Sequence, residues 1–202
     1  MRSPLRSCLI ASCIALAAPL AFAQNTIDQK QEDISYAMGG FFQSGLAQSF
    51  QTSADSISGA GIELWPRAEE DGPVTIALWD ALPTQGGVKL AEGVAKGVGT
   101  LWADTFWKPV KAEANKTYFL TFTSDTPIFI IGGSLDNYKK GMAYANDYTP
   151  FSQYDYTFRT YAAPLPAQTT PVPEPATAAM MLAGLGLLAG QLHRQTRRRP
   201  SR

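Results

Sequence analysis

The chain has 202 residues, with 17 basic and 17 acidic side chains and a formal net charge of zero. That balance hides a segregation: ten basic residues against 16 acidic ones lie between Gln24 and Thr170, a net of −6, while seven arginines sit at the two ends. An acidic middle segment lacks the clustered Lys and Arg that nucleic acid or anionic lipid headgroups require, and a length of 202 residues is that of about one domain.

The first 23 residues read as a secretory signal peptide. Arg2 and Arg6 form a positive n-region, Leu9 to Leu20 is apolar, and Ala21-Phe22-Ala23 is a small-x-small site before Gln24. Signal peptidase is the expected processing enzyme. The competing reading is an uncleaved anchor helix, but the apolar stretch is short for a membrane span. Ile10-Ala11-Ser12-Cys13 resembles a lipoprotein box only faintly, because too few apolar residues precede the cysteine.

Cys8 and Cys13 are the two cysteines, and His193 is the single histidine. A domain cut at Gln24 therefore has neither thiol nor imidazole. Disulfides, Ser-His-Asp triads, Cys-His pairs and Cys- or His-ligated zinc are excluded there.

Residues 24–163 read as strands and turns. Ile62-Glu63-Leu64, Val74 to Trp79, Tyr118 to Phe122 and Tyr156 to Tyr161 alternate with period 2, and Ile128 to Ile131 is a continuous apolar run. Asp71-Gly72-Pro73, Gln85-Gly86-Gly87, Gly97-Val98-Gly99, Asn115-Lys116 and Gly132-Gly133 read as turns between them. Many short strands and no sustained helical period predict an all-β domain, an antiparallel β-sandwich or jelly roll.

Four groups of side chains are candidate sites. Trp65, Trp107, Tyr138 and Tyr144 are candidates to stack on sugar rings, set against the ordinary use of aromatics in a sandwich core. Asp136, Asn137, Asp147 and Asp155 are oxygen ligands suited to a structural Ca²⁺, set against turn chemistry and solubility; no other cofactor is expected. Asp155, ahead of the last strand, is placed to accept hydrogen bonds from turn amides, and Arg159 to cover an aromatic surface or pair with an acid. Glu69-Glu70-Asp71 reads as a solvated charge run, and no spacing among the carboxylates singles out a glycosidase pair.

The C-terminal end is the most specific part of the chain. Residues 164–175 are proline-rich and read as an extended linker. Val172-Pro173-Glu174-Pro175 is followed by an apolar run over 176–192 and a basic end, 193–202, with Arg194, Arg197, Arg198 and Arg199. The run spans roughly 25 Å as a helix, short enough to need snorkelling or thinning, and the arginines should stop transfer and stay cytoplasmic. This order resembles the PEP-CTERM sorting signal. The resemblance implies exosortase processing near Pro173-Glu174-Pro175 and delivery to the cell surface or matrix of an exopolysaccharide-producing bacterium. The competing reading is an ordinary C-terminal anchor on a proline-rich stalk.

A looser resemblance covers most of residues 28–162. Leu46 to Phe50, Val74 to Asp80, Leu101-Trp102 with Phe106, Ala114 to Leu120, Gly141 to Tyr144 and Asp155 to Tyr161 are similar in order to the jelly-roll choice-of-anchor domains of bacterial surface proteins. That family implies a carbohydrate-module-like sandwich without a settled activity. The expected function is a non-catalytic surface or matrix protein, with exopolysaccharide as a partner. A carbohydrate-binding module is the alternative.

Overall fold

Alternating apolar and polar residues in short runs leave each strand with one face to bury, so the chain can bury it only by building sheets. The structure, a computed structural model, describes residues 24–65, 71–98, 102–165 and Gly184. The chain divides into two units, Met1–Leu165 and Pro166–Arg202. The signal peptide, the linker beyond Leu165, the sorting motif, the arginine cluster and the 176–192 helix fall outside the described residues, apart from helical Gly184. Among the described residues no helix is long and apolar enough to cross a membrane.

The described residues of the first unit are all-β apart from one 3-10 turn at Pro83–Gln85, with several antiparallel sheets. Its strands are β1 (Thr26–Gln31), β2 (Tyr36–Gly40), β3 (Leu46–Gln51), β4 (Ser56–Glu63), β5 (Asp71–Trp79), β6 (Lys89–Val98), β7 (Trp102–Lys111), β8 (Thr117–Thr123), β9 (Ile130–Leu135), β10 (Ala143–Ala145), β11 (Thr149–Phe151), β12 (Tyr154–Tyr156) and β13 (Phe158–Ala162). A four-stranded sheet has the order β1-β13-β4-β7, a six-stranded sheet β11-β10-β3-β8-β5-β6, and a three-stranded sheet β12-β9-β2. An isolated bridge, Leu64 to Ile131, ties the end of β4 to β9.

All three sheets contribute to one core. Phe50 of β3 meets Phe158 of β13 with ring centroids 6.3 Å apart, and Tyr138 meets Phe158 edge-on at 5.1 Å. Ile57, Ile62, Leu64, Ile76, Leu78, Leu120 and Ile131 are fully buried around them. Complete burial of an aliphatic side chain of this size stabilises by about 1.5–3 kcal/mol.

Three turn expectations are corrected. Gly132 and Gly133 lie inside β9, opposite Ala37 and Tyr36 of β2. Asp71-Gly72-Pro73 opens β5, and Gly97 and Val98 close β6, paired with it. Gly97 marks a close approach between layers, since a Cβ there would sit 2.8 Å from a ring carbon of Phe129, while a Cβ on Gly133 would collide with the Met38 side chain of the adjoining strand. The apolar run at Ile128 to Ile131 enters its strand late, at Ile130, because Thr126 accepts the Phe129 N–H through its carbonyl and turns the chain there. The edge strand expected after Gly141 is also corrected, since β10 lies between β3 and β11. Gln85-Gly86-Gly87 and Asn115-Lys116 are turns as expected, with Gly86 and Asn115 at positive φ.

Candidate functional site: an aromatic cleft

Three short elements meet at one end of the first unit: β2, the β9–β12 pair, and the β10–β11 hairpin. Between them is a cleft of about 500 Å³, within the range of small-molecule sites. Its aromatic walls are Tyr36 of β2, Phe151 of β11, and Tyr154 and Tyr156 of β12. Met38 and Leu135 add apolar surface, and Ala143 and Ala145 leave room for it. Gln43 and Asn146 supply the amides, the Gln43 Nε2 donating to Asn146 Oδ1 at 3.2 Å. Among the described residues the lining contains no charged side chain.

Local sequence explains the placement of each group. In β12 the pleat sends Tyr154 and Tyr156 to the same side. Tyr156 is buried, its hydroxyl donating to the Tyr144 carbonyl at 3.0 Å, so it forms part of the cleft's base. A Cβ on Gly39 would stand 2.7 Å from the Tyr156 ring, so only glycine permits that seating. Tyr36 is 49 % exposed and Leu135 53 %, so both stand at the rim.

The hairpin tip is backbone-strained. Asn146, Asp147 and Tyr148 carry φ of 50°, 60° and 64°, three non-glycine residues in succession in the left-handed region. Asn and Asp tolerate that region, while a Tyr there is an outlier costing on the order of 1–3 kcal/mol. The turn is pinned by the Asp147 N–H donating to the Ser44 carbonyl at 3.1 Å, and by Gly45, whose positive φ of 65° lets it lie directly under Tyr148.

The expected aromatic platform is distributed differently. Tyr138 is only 8 % exposed. Its hydroxyl donates to Gln29 Oε1 at 2.9 Å and accepts the Gln51 N–H at 3.3 Å, and burial pushes its phenol up to about 12. Tyr144 faces away from the cleft and packs edge-on against Phe119 at 5.9 Å. Trp107 packs against the core with its indole N–H donating to the Ile57 carbonyl at 3.1 Å. Trp65 is half-buried, its backbone N–H donating to Ile130 O at 2.7 Å. The loop position of Tyr138 suggested exposure, but the acceptors within reach of its hydroxyl hold it inside, while Tyr144 is half-buried on the face away from the cleft. The usable signal for the cleft was the pair of alanines flanking Tyr144, facing an alternating Tyr154-x-Tyr156.

The four expected calcium ligands take separate partners. Asp136 pairs with Lys139 Nζ at 2.8 Å. Asn137 donates to Asp33 Oδ2 at 2.9 Å and Ser134 Oγ at 3.2 Å. Asp147 forms the strained turn. Asp155 is fully buried, accepting from Gln48 Nε2 at 2.9 Å and from the Tyr138 N–H at 2.8 Å. Burial raises its carboxyl above the usual 3.8, although both hydrogen bonds act to lower it. Among the described residues no three His, Cys, Asp or Glu side chains are grouped to hold a metal ion.

A second polar cluster lies on β13 and β7. Arg159 pairs with Asp104 through two nitrogens and lies over the Trp102 ring at 4.0 Å, while the Tyr161 hydroxyl donates to Asp104 at 2.8 Å. The arginine thus both covers an aromatic and pairs with an acid. Its planar guanidinium suits such a bidentate, stacked arrangement.

No curated protein and no solved structure matches the chain, so the likeness of residues 28–162 to choice-of-anchor domains has no matching relative behind it. The profile of the PEP-CTERM protein-sorting motif matches residues 171–199, which contain Val172-Pro173-Glu174-Pro175 and the arginines at 194 and 197–199. The chain therefore carries a PEP-CTERM sorting motif, the address of an exported, membrane-associated precursor processed by exosortase.

Proposed function

We propose that the protein is a non-catalytic cell-surface or extracellular-matrix component that contributes to exopolysaccharide or biofilm structure. The sorting motif at 171–199 carries this reading. In it, residues 1–23 are removed by signal peptidase, the 176–192 helix holds the precursor in the membrane, and the domain folds outside as a sandwich of jelly-roll type. The proposal of no catalysis rests on chemistry: residues 24–192 hold no Cys or His, and the most buried carboxylate, Asp155, is committed to Gln48 and Tyr138.

Intact mass of the protein from wild-type cells and from cells lacking exosortase tests it. The expected result is loss of residues 1–23 in both strains, with loss of the tail beyond Pro173-Glu174-Pro175 only where exosortase is present. An identical C-terminus in the two strains would remove the sorting claim.

A second reading, a carbohydrate-binding module on the same anchor, is favoured by one observation. The cleft presents aromatic side chains and side-chain amides together at the surface, the combination that recognises a ring with apolar faces and hydroxyl edges.

A further inference from the structure

We propose that the cleft between β2, β12 and the β10–β11 hairpin binds a neutral glycan segment, with Tyr36 and Tyr154 as the stacking rings and Gln43 and Asn146 as the hydroxyl-reading amides. The inference rests on the carbohydrate-binding reading above and deepens it to a site and a ligand class.

Three observations converge on this occupant. Among the described residues the lining holds aromatic rings and amides but no Asp, Glu, Lys or Arg, so a charged ligand would be desolvated there without a counter-charge. An uncharged ring that packs an apolar face on a phenol and offers hydroxyls to an amide meets no such penalty. Second, the amide Asn146 stands on a turn held in three successive left-handed residues and pinned to Ser44. Backbone strain of this kind concentrates where a group must be held in place. Third, the cleft lies away from the point where the chain leaves the domain. The Thr26–Ala162 pair and the Ser56 hydroxyl on the Ala163 carbonyl mark that exit. Asp28 of the same β1 takes the Thr52 hydroxyl at 2.6 Å, beyond the Gln51 end of β3, whereas Asn146 and Gly45 lie beyond its Leu46 end, roughly 17 Å along the strand. An extended ligand therefore enters the domain at the end opposite Ala163.

The test is titration of the full-length protein in detergent micelles with cellohexaose, mannohexaose, an alginate oligomer and the apolar dye ANS. Saturable binding of at least one neutral hexasaccharide is expected. Tyr36→Ala and Tyr154→Ala should each weaken it about tenfold with an unchanged melting midpoint for Tyr36→Ala, whose ring is half exposed. Gln43→Glu, which places a carboxylate at the rim, should weaken it while leaving the rings in place. Failure of both neutral hexasaccharides, tighter binding of alginate, binding of ANS alone, or full binding by the Tyr36→Ala and Gln43→Glu variants would each overturn the proposal. Intact mass of the protein recovered from wild-type cells and from cells lacking exosortase separates this from the sorting reading. A tail trimmed only where exosortase is present, without glycan binding, removes the cleft proposal and leaves surface delivery standing, whereas glycan binding with an identical C-terminus in the two strains supports the cleft and removes the sorting claim.

Discussion

The interior beneath β13 and the cleft beside β12 are built from the same materials, tyrosines and side-chain amides, and put them to opposite use. Inside, Tyr138, Gln48, Gln29 and Asp155 consume one another's hydrogen-bonding capacity, and among the described residues no buried side-chain nitrogen or oxygen lacks a partner. In the cleft, the Tyr36 and Asn146 side chains reach the surface, Tyr36 from β2 and Asn146 from the strained hairpin. The contrast shows that residue type does not separate a structural tyrosine from a recognition tyrosine. Whether a buried acceptor lies within reach of the hydroxyl does.

The strongest way to probe the interior side of that comparison is Phe158→Ala. It deletes the ring that Phe50 and Tyr138 pack against and should cost about 4 kcal/mol in chemical denaturation. Asp155→Ala should follow at about 3 kcal/mol, because it strands one hydrogen of the Gln48 amide and the Tyr138 N–H without an acceptor. An effect below about 1 kcal/mol would mean that the network is not the brace described above.

Tyr138→Phe removes two hydrogen bonds and should cost about 1.5 kcal/mol near neutral pH. It also has a pH signature. The folded phenol stands at about 12 against an ordinary 10. Between those values the folded state keeps a proton that the unfolded state has released, so stability falls as pH rises from 10 to 12. Denaturation midpoints across that window should decline less steeply in the phenylalanine variant.

Arg159→Lys, on the β13 face, keeps the charge but loses the fork on Asp104 and the stacking on Trp102, for about 1 kcal/mol. On the cleft side, Tyr36→Ala should change stability by no more than about 0.5 kcal/mol. A large loss of stability there would place Tyr36 with the interior group and collapse the comparison.

The strand-rich character was legible from the period-2 runs at Val74 to Trp79 and Tyr118 to Phe122, which appear as β5 and β8. The glycine pairs misled because a glycine that opens a turn and one that lets two layers touch look identical along the chain; Gly97 beside Phe129 is the second kind. The cleft was hardly legible at all. Tyr36 and Tyr154 are separated by more than a hundred residues and meet only because β9 pairs with both β2 and β12. Tyr144 was the natural candidate from its loop setting, and a single step of the pleat turned it to the opposite face.

By itself, the sequence determined the address and the chemistry left open to the domain. Sorting motifs are read as linear order, so Val172-Pro173-Glu174-Pro175, the apolar run and the arginines speak without a fold, and the absence of Cys and His from 24–192 is a fact of composition. Only the tertiary structure decided which tyrosines are sealed inside, which carboxylates are already partnered, and where rings and amides gather at the surface. Those outcomes depend on strand pairing and register between distant segments, and a one-residue change of register reverses the face on which every side chain of a strand appears.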